Sequence, residues 1–150
     1  MNLFDTHAHL LDEQFDADRE QLLVSLPEQG ITHVMEACCD EAGIDRVIEL
    51  VARTPYFYGS AGVHPHSADE WKPETADHIR AALGHERMVA IGEIGLDYHY
   101  DFSPRETQRD CFDAQLALAQ SCVVRLSSTT ARRTATRWIF CGTTAADCPA

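Results

Sequence analysis

Phe4-Asp5-Thr6-His7-Ala8-His9 is the stretch on which the reading of this chain turns. It closes an apolar N-terminal run. A strand over Asn2–His9 puts His7 and His9, two positions apart, on one face. Two neutral imidazoles aimed into one space are part of a divalent-cation site, which needs three or four such donors. Alone, a His-x-His pair near a terminus reads more readily as two surface histidines. The rest of the chain decides between these readings, because it repeats one rhythm four times: a short apolar run, then a helix-like segment.

The first strand is followed by a helix opening at Asp16-Ala17-Asp18-Arg19-Glu20, its acids early as the helix dipole favours, with Gly30 as its stop. Ile31–Cys39 is the second apolar run, interrupted by His33 and Glu36. Asp40 is placed to cap a helix over Glu41–Arg53, where Ile44, Val47, Ile48 and Val51 fall at helical spacing. Tyr56–Val63 with Pro73–Leu83, and Met88–Ile94 with Pro104–Ala119, complete the third and fourth pairs. Ser103 is the N-cap of the last helix and Pro104 lies in its first turn. Met88–Ile94 is nearly all apolar, as a strand covered on both faces must be. Strands alternating with helices imply parallel βαβ units. A (β/α)8 barrel takes about 250 residues, so four units in 150 residues form half of such a barrel or a small open α/β sheet.

Composition narrows the partners. No apolar run reaches the roughly 18 residues of a membrane span, and no basic-then-apolar leader is visible, so no membrane partner and a cytoplasmic location are expected. Six cysteines include the adjacent Cys38 and Cys39 and show no zinc-ribbon spacing, so they read as reduced thiols. The net charge of −12 argues against a broad basic surface for nucleic acid. Phosphate chemistry stays open, because a bound cation can be the largest positive charge in a site. The charge is uneven. Residues 121–150 hold four arginines and one acid, which leaves a net −15 over residues 1–120.

In parallel α/β folds, ligands bind at the carboxyl ends of the strands. Three of the four strands end in groups able to ligate a metal or move protons: His7-Ala8-His9, then Gly62-Val63-His64-Pro65-His66, then Gly92-Glu93-Ile94-Gly95-Leu96-Asp97-Tyr98. Glu93 sits inside an apolar strand, where an unpaired carboxylate is costly to bury; a metal partner removes that cost, the alternative being a buried arginine. His64, held extended by Pro65, and His66 are candidates for contacting substrate. Asp97 is a candidate support for a metal-binding histidine or a loop-capping residue. Asp5 points away from the histidine pair and reads as structural. His33, His78, His85 and His99 read as solvated or packing residues, and neither Cys38 nor Cys39 has a base placed to make it a nucleophile.

These segments, Phe4–His9, Gly62–His66, Ala90–Tyr98 and Arg105-x-x-Gln108-x-x-x-Phe112, together resemble the TatD family of metal-dependent hydrolases, in order and spacing, over about residues 1–120. The resemblance implies the N-terminal half of a TIM-barrel-like metallo-dependent hydrolase fold, incomplete, with 121–150 as an irregular or disordered tail outside the family pattern. It implies deoxyribonuclease chemistry on DNA or another phosphodiester, some members being 3′-exonucleases, with no obligatory protein partner. It implies two divalent ions, with Zn, Mn, Mg and Co not distinguished by the ligand types. His7 and His9 would hold one ion and Glu93 would bridge both, at the catalytic centre. His64 would orient or neutralise the phosphate, with His66 beside it.

The family pattern also calls for two further histidines and an aspartate from later strands. This chain has no histidine after His99. Its tail reads as a frame change near codon 121: shifting the frame by one base turns Leu126–Arg132 into Ala-Val-Val-Tyr-His-Arg-Glu, an apolar strand ending in His-Arg, and the next stretch into Thr-His-Ser-Asp-Thr-Leu-Asp-Ile-Leu. The expected product is an impaired hydrolase. Two other readings stay open: an inactive fragment or non-enzymatic binding protein, and an amidohydrolase-like enzyme acting on C–N or ester bonds, since one fold hosts many chemistries.

Overall fold

The computed structural model describes residues 2–122, 125–131 and 137–139. Six strands lie side by side in chain order: β1 (Leu3–Ala8), β2 (Ile31–Glu36), β3 (Phe57–Ala61), β4 (Met88–Asp97), β5 (Arg125–Ala131) and β6 (Arg137–Ile139). β1 to β5 are parallel and β6 runs antiparallel to β5. Helices α1 (Arg19–Glu28), α2 (Gly43–Arg53), α3 (Pro73–Ala82) and α4 (Arg105–Cys122) follow the first four strands. The four expected βα units are therefore all present, and their sequential order winds the sheet in one direction, as in a barrel.

Apolar periodicity builds the core. Ile44, Val47, Leu50 and Val51 form the buried face of α2, and Phe57, Ile79, Ile91 and Ile94 are fully enclosed. Truncating such a side chain as Phe57 to alanine costs about 3–5 kcal/mol. α2 approaches β3 so closely that a Cβ on Gly59 would lie 2.6 Å from Val47 Cγ1 and 2.5 Å from Met88 Sδ. Among the described residues, no helix is long and apolar enough to cross a membrane, and Cys38, Cys39, Cys111 and Cys122 are free thiols.

Local hydrogen bonds shift several boundaries from the sequence expectation. Asp12 Oδ1 accepts the Gln14 N–H at 2.9 Å and starts a 3-10 turn at Glu13–Phe15, so α1 begins at Arg19 rather than Asp16. Asp40 Oδ1 accepts the Gly43 N–H at 2.7 Å, satisfying a donor at the start of α2. β4 continues past Ile94 because it stays paired with β5 as far as Asp97. The tail expected to be irregular from residue 121 is partly regular: α4 runs to Cys122, and β5 and β6 extend the sheet. The physical reason is the edge of β4, whose backbone groups pair with any extended segment laid beside them. The remainder of the tail, including most of the second frame-shifted stretch, lies outside the described residues.

Curvature positions the site. At a strand spacing of about 4.8 Å, β1 and β4 would stand roughly 14 Å apart in a flat sheet, beyond the joint reach of a histidine and a glutamate. Yet His7 Nε2 lies 3.2 Å from Glu93 Oε2. The four-stranded array is curled, its concave side gathering side chains from strands that are not neighbours.

Candidate metal centre

His7 lies near the end of β1 and His9 just beyond it, on one face as the period of a strand requires. Their Nε2 atoms stand 3.0 Å apart, and Glu93 Oε2 from β4 is 3.2 Å from His7 Nε2 and 3.5 Å from His9 Nε2. Two donors each about 2.1 Å from a cation are about 3.0 Å apart at a right angle and about 3.4 Å apart at the tetrahedral angle. The trio therefore has the spacing of three corners of one coordination shell. Its donor set, two imidazoles and a carboxylate, suits a divalent ion of intermediate hardness. His9 has the outer support usual for a ligating imidazole, its Nδ1 lying 3.2 Å from the Ala37 carbonyl. The buried His7 Nδ1 has no hydrogen-bond partner among the described residues.

The electrostatics agree with a site for positive charge. Burial pushes the Glu93 carboxyl up, but hydrogen bonds from His7 and His9 outweigh it and hold the group well below the usual carboxylate range. The Cys39 sulfur, 3.6 Å from His9 Nδ1, together with Glu93 raises His9 to about 10 against its burial. Cys38, by contrast, is pushed up to about 12 by burial and stays a thiol. His9 and Glu93 line a cleft of about 540 Å³ whose walls also include Glu36, Cys39, Arg46, His64 and His66.

His64 and His66 pack edge to face with ring centroids 4.3 Å apart. His64 Nδ1 accepts the His66 N–H at 3.2 Å, so the imidazole proton resides on Nε2. Burial lowers His64 to about 4, leaving it neutral at physiological pH. Asp97 does not meet His7 or His9: its Oδ2 bonds His66 Nε2, and its Oδ1 accepts the N–H groups of His99 at 2.8 Å and Tyr100 at 3.1 Å. It thus orients His66 and the following loop. Asp5 accepts the His7 N–H at 3.1 Å, which fits its structural reading.

Three further side chains position the site: Glu36 and Gln115, to which sequence reading assigned no role, and Gln108, which stood in the Arg105–Phe112 segment without one. Glu36, buried in β2, accepts the N–H groups of Leu10 at 2.9 Å and Leu11 at 2.8 Å, fixing the turn just after His9; burial raises its carboxyl above the usual range. Gln115 of α4 bonds both backbone groups of Val63, at 2.8 and 3.0 Å, immediately before His64. Gln108, two turns earlier on the same helix, does the same for Asp97 at 2.8 and 3.0 Å. At the junction of β3 and β4 a Cβ on Gly62 would lie 2.9 Å from three backbone atoms of Gly92, so only glycine lets the two strands approach this closely.

A curled parallel α/β sheet with a histidine–carboxylate trio on the carboxyl rim of its strands has the architecture of the metallo-dependent hydrolases. Comparison with known proteins places it more closely. A family profile described as TatD related DNase matches residues 4–127, and the chain belongs to that family. It is 38% identical over 118 residues to the metal-dependent hydrolase YabD of Bacillus subtilis, covering 79% of this chain and 46% of that protein. It is 39% identical over 118 residues to the 3′-5′ ssDNA/RNA exonuclease TatD of Dickeya dadantii, covering 78% of this chain and 45% of that one. The crystal structure of YJJV, a TatD homolog from Escherichia coli K12, superposes with a TM-score of 0.76 at 26% identity, over 84% of this chain and 49% of the other. The chain spans about half the length of the relatives it matches.

Proposed function

We propose that this chain carries the metal-binding half of a hydrolase for nucleic-acid phosphodiester bonds. The observation that carries the reading is the trio of donor atoms from His7, His9 and Glu93, mutually 3.0–3.5 Å apart at the mouth of the cleft. His7, His9 and Glu93 would hold a divalent ion. When bound, such an ion supplies Lewis acidity toward a phosphoryl oxygen and toward an attacking water. Glu93 Oε2 faces both imidazoles, and by the family resemblance Glu93 would also hold a second ion. His64, neutral and protonated on Nε2, donates to a phosphate oxygen without adding charge; His66, fixed by Asp97, closes that wall of the cleft. DNA or RNA as substrate is supported by the name of the Dickeya relative, a single-strand exonuclease.

Turnover by this chain is low in this reading, because the trio offers three donors where a two-ion centre needs more. The test is cleavage of a 3′-labelled single-stranded oligonucleotide by the purified protein with Mn, Mg, Co or Zn, beside a panel of amides and lactones. Slow cleavage that vanishes with chelator and in Glu93→Gln is expected. Preferential turnover of the amide or lactone panel would overturn the substrate class, and rapid DNA cleavage would overturn the impaired status.

A further inference from the structure

The connection between β4 and α4 carries two rings that the metal centre leaves unused. Tyr100 and Phe102 are 60% and 68% exposed, and their rings lie nearly parallel, 13° apart with centroids separated by 5.5 Å. A loose loop does not account for this display. Asp97 Oδ1 holds the N–H groups of His99 and Tyr100. Arg105 grips Asp101 with Nε at 2.8 Å and Nη2 at 2.6 Å, and its guanidinium lies 4.7 Å from the centre of the Tyr98 ring. The Ser103 hydroxyl reaches the His66 carbonyl at 2.9 Å and Asp69 at 3.1 Å. Aromatic side chains bury roughly 150–250 Å² each when covered, so a pinned loop that keeps two of them in water forgoes a large gain.

The rings are continuous with the cleft. His66, which lines it, meets Phe102 edge-on at 4.7 Å and Tyr100 at 5.8 Å between centroids. The net −15 over residues 1–120 gives a polyphosphate chain little to gain from the protein surface, so affinity must come from a group without charge. An unpaired nucleobase offers an open π-face, and stacking on aromatic rings is indifferent to base identity. A base inside a duplex is already stacked on its neighbours.

We infer that Tyr100 and Phe102 form a stacking platform for an unpaired base of a single-stranded nucleic acid, adjoining the metal cleft. The inference rests on the phosphodiester reading of that cleft. Its test is fluorescence anisotropy of the full chain in chelator, so that nothing is cleaved. The probes are a labelled thymidine oligomer of about 12 nucleotides, within single-strand site sizes, an abasic oligomer of equal length, and a duplex. The thymidine oligomer should bind about ten-fold more tightly than either competitor, and Tyr100→Ala or Phe102→Ala should each remove about five-fold or more of that preference. Tyr100→Phe and Phe102→Tyr should retain it, as should Phe4→Ala, an exposed ring elsewhere. Absence of saturable binding, equal affinity for thymidine and abasic oligomers, or parity of the alanine variants with wild type overturns the inference. So does a drop in thermal midpoint in those variants with binding unchanged, which would mean the rings pack against protein. If base-dependent binding persists but added divalent ions yield no cleavage, the hydrolase reading fails and the platform stands.

Discussion

The Ser60 hydroxyl donates to the Gly92 carbonyl oxygen at 2.6 Å, and Ser60 Oγ in turn accepts the Cys38 N–H at 3.2 Å. One buried side chain on β3 thereby ties the residue before Glu93 to the end of β2, where the Cys38 carbonyl in turn accepts the Glu93 N–H at 2.6 Å. In Ser60→Ala, two buried backbone groups lose their partner. A loss of about 1–3 kcal/mol in urea unfolding is expected, with a weaker affinity for Zn or Co in calorimetric titration, because the Glu93 carboxylate is freed to drift from the imidazoles.

Gln115→Leu keeps the side chain's bulk but removes both bonds to Val63. About 2–4 kcal/mol of stability should be lost, since a donor and an acceptor are stranded in the interior. Cation affinity should change little, because His64 and not the trio sits beside Val63. A fall in cation affinity as large as that of Ser60→Ala would contradict this separation.

Gly62→Ala places a methyl 2.9 Å from the Gly92 backbone, inside van der Waals contact. The strands must part, at a cost of about 1–3 kcal/mol, and Glu93 moves with β4. Both the unfolding midpoint and the cation affinity should fall, whereas Gly43→Ala, whose Cβ meets the Asp40 side chain at 3.1 Å, should disturb α2 and spare Glu93.

For His64, the fold favours the neutral imidazole, lowering it from 6.5 to about 4. Its folded-state affinity for a proton is thus below that of the unfolded chain. The stability it contributes is complete above about 6.5 and is lost as the pH falls from 6.5 toward 4. In the metal-free protein its ring proton resonances should stay flat in NMR between pH 8 and 5.5. A titration centred near 6.5 would refute the burial argument.

Much of this was legible in the chain itself. Strand period two brought His7 and His9 to one side, and helical spacing at Ile44, Val47 and Val51 placed α2. These are local signals. Glu93 was singled out because a carboxylate in an apolar run needs a partner, and the same logic applies to Glu36; sequence could not tell that one faces two imidazoles and the other two backbone N–H groups, since both partners come from distant segments. Asp97 was a candidate support for a metal-binding histidine or a loop cap; it caps the N–H groups of His99 and Tyr100 and bonds His66, the residue directly after a proline whose 3-10 turn, Pro65–Glu70, has no periodic signature. Gln115 looks like an ordinary polar helix residue, and Gln108 like a motif residue without a role, until α4 is laid against the sheet. The strand character of Arg125–Ala131 depends on the edge of β4 beside it rather than on its own serines and threonines.

The curl that brings β1 to β4 has a thermodynamic corollary. His7 and Glu93 touch only while all the intervening strands keep their bend, so ion occupancy and closure of the array constitute a single equilibrium. Any divalent ion favoured by the trio should raise the melting temperature by mass action, and a chelator should loosen first the N-terminal strand, which among the described residues has a neighbour on one side only. The cation would serve as a clasp on the architecture before it serves as a reagent.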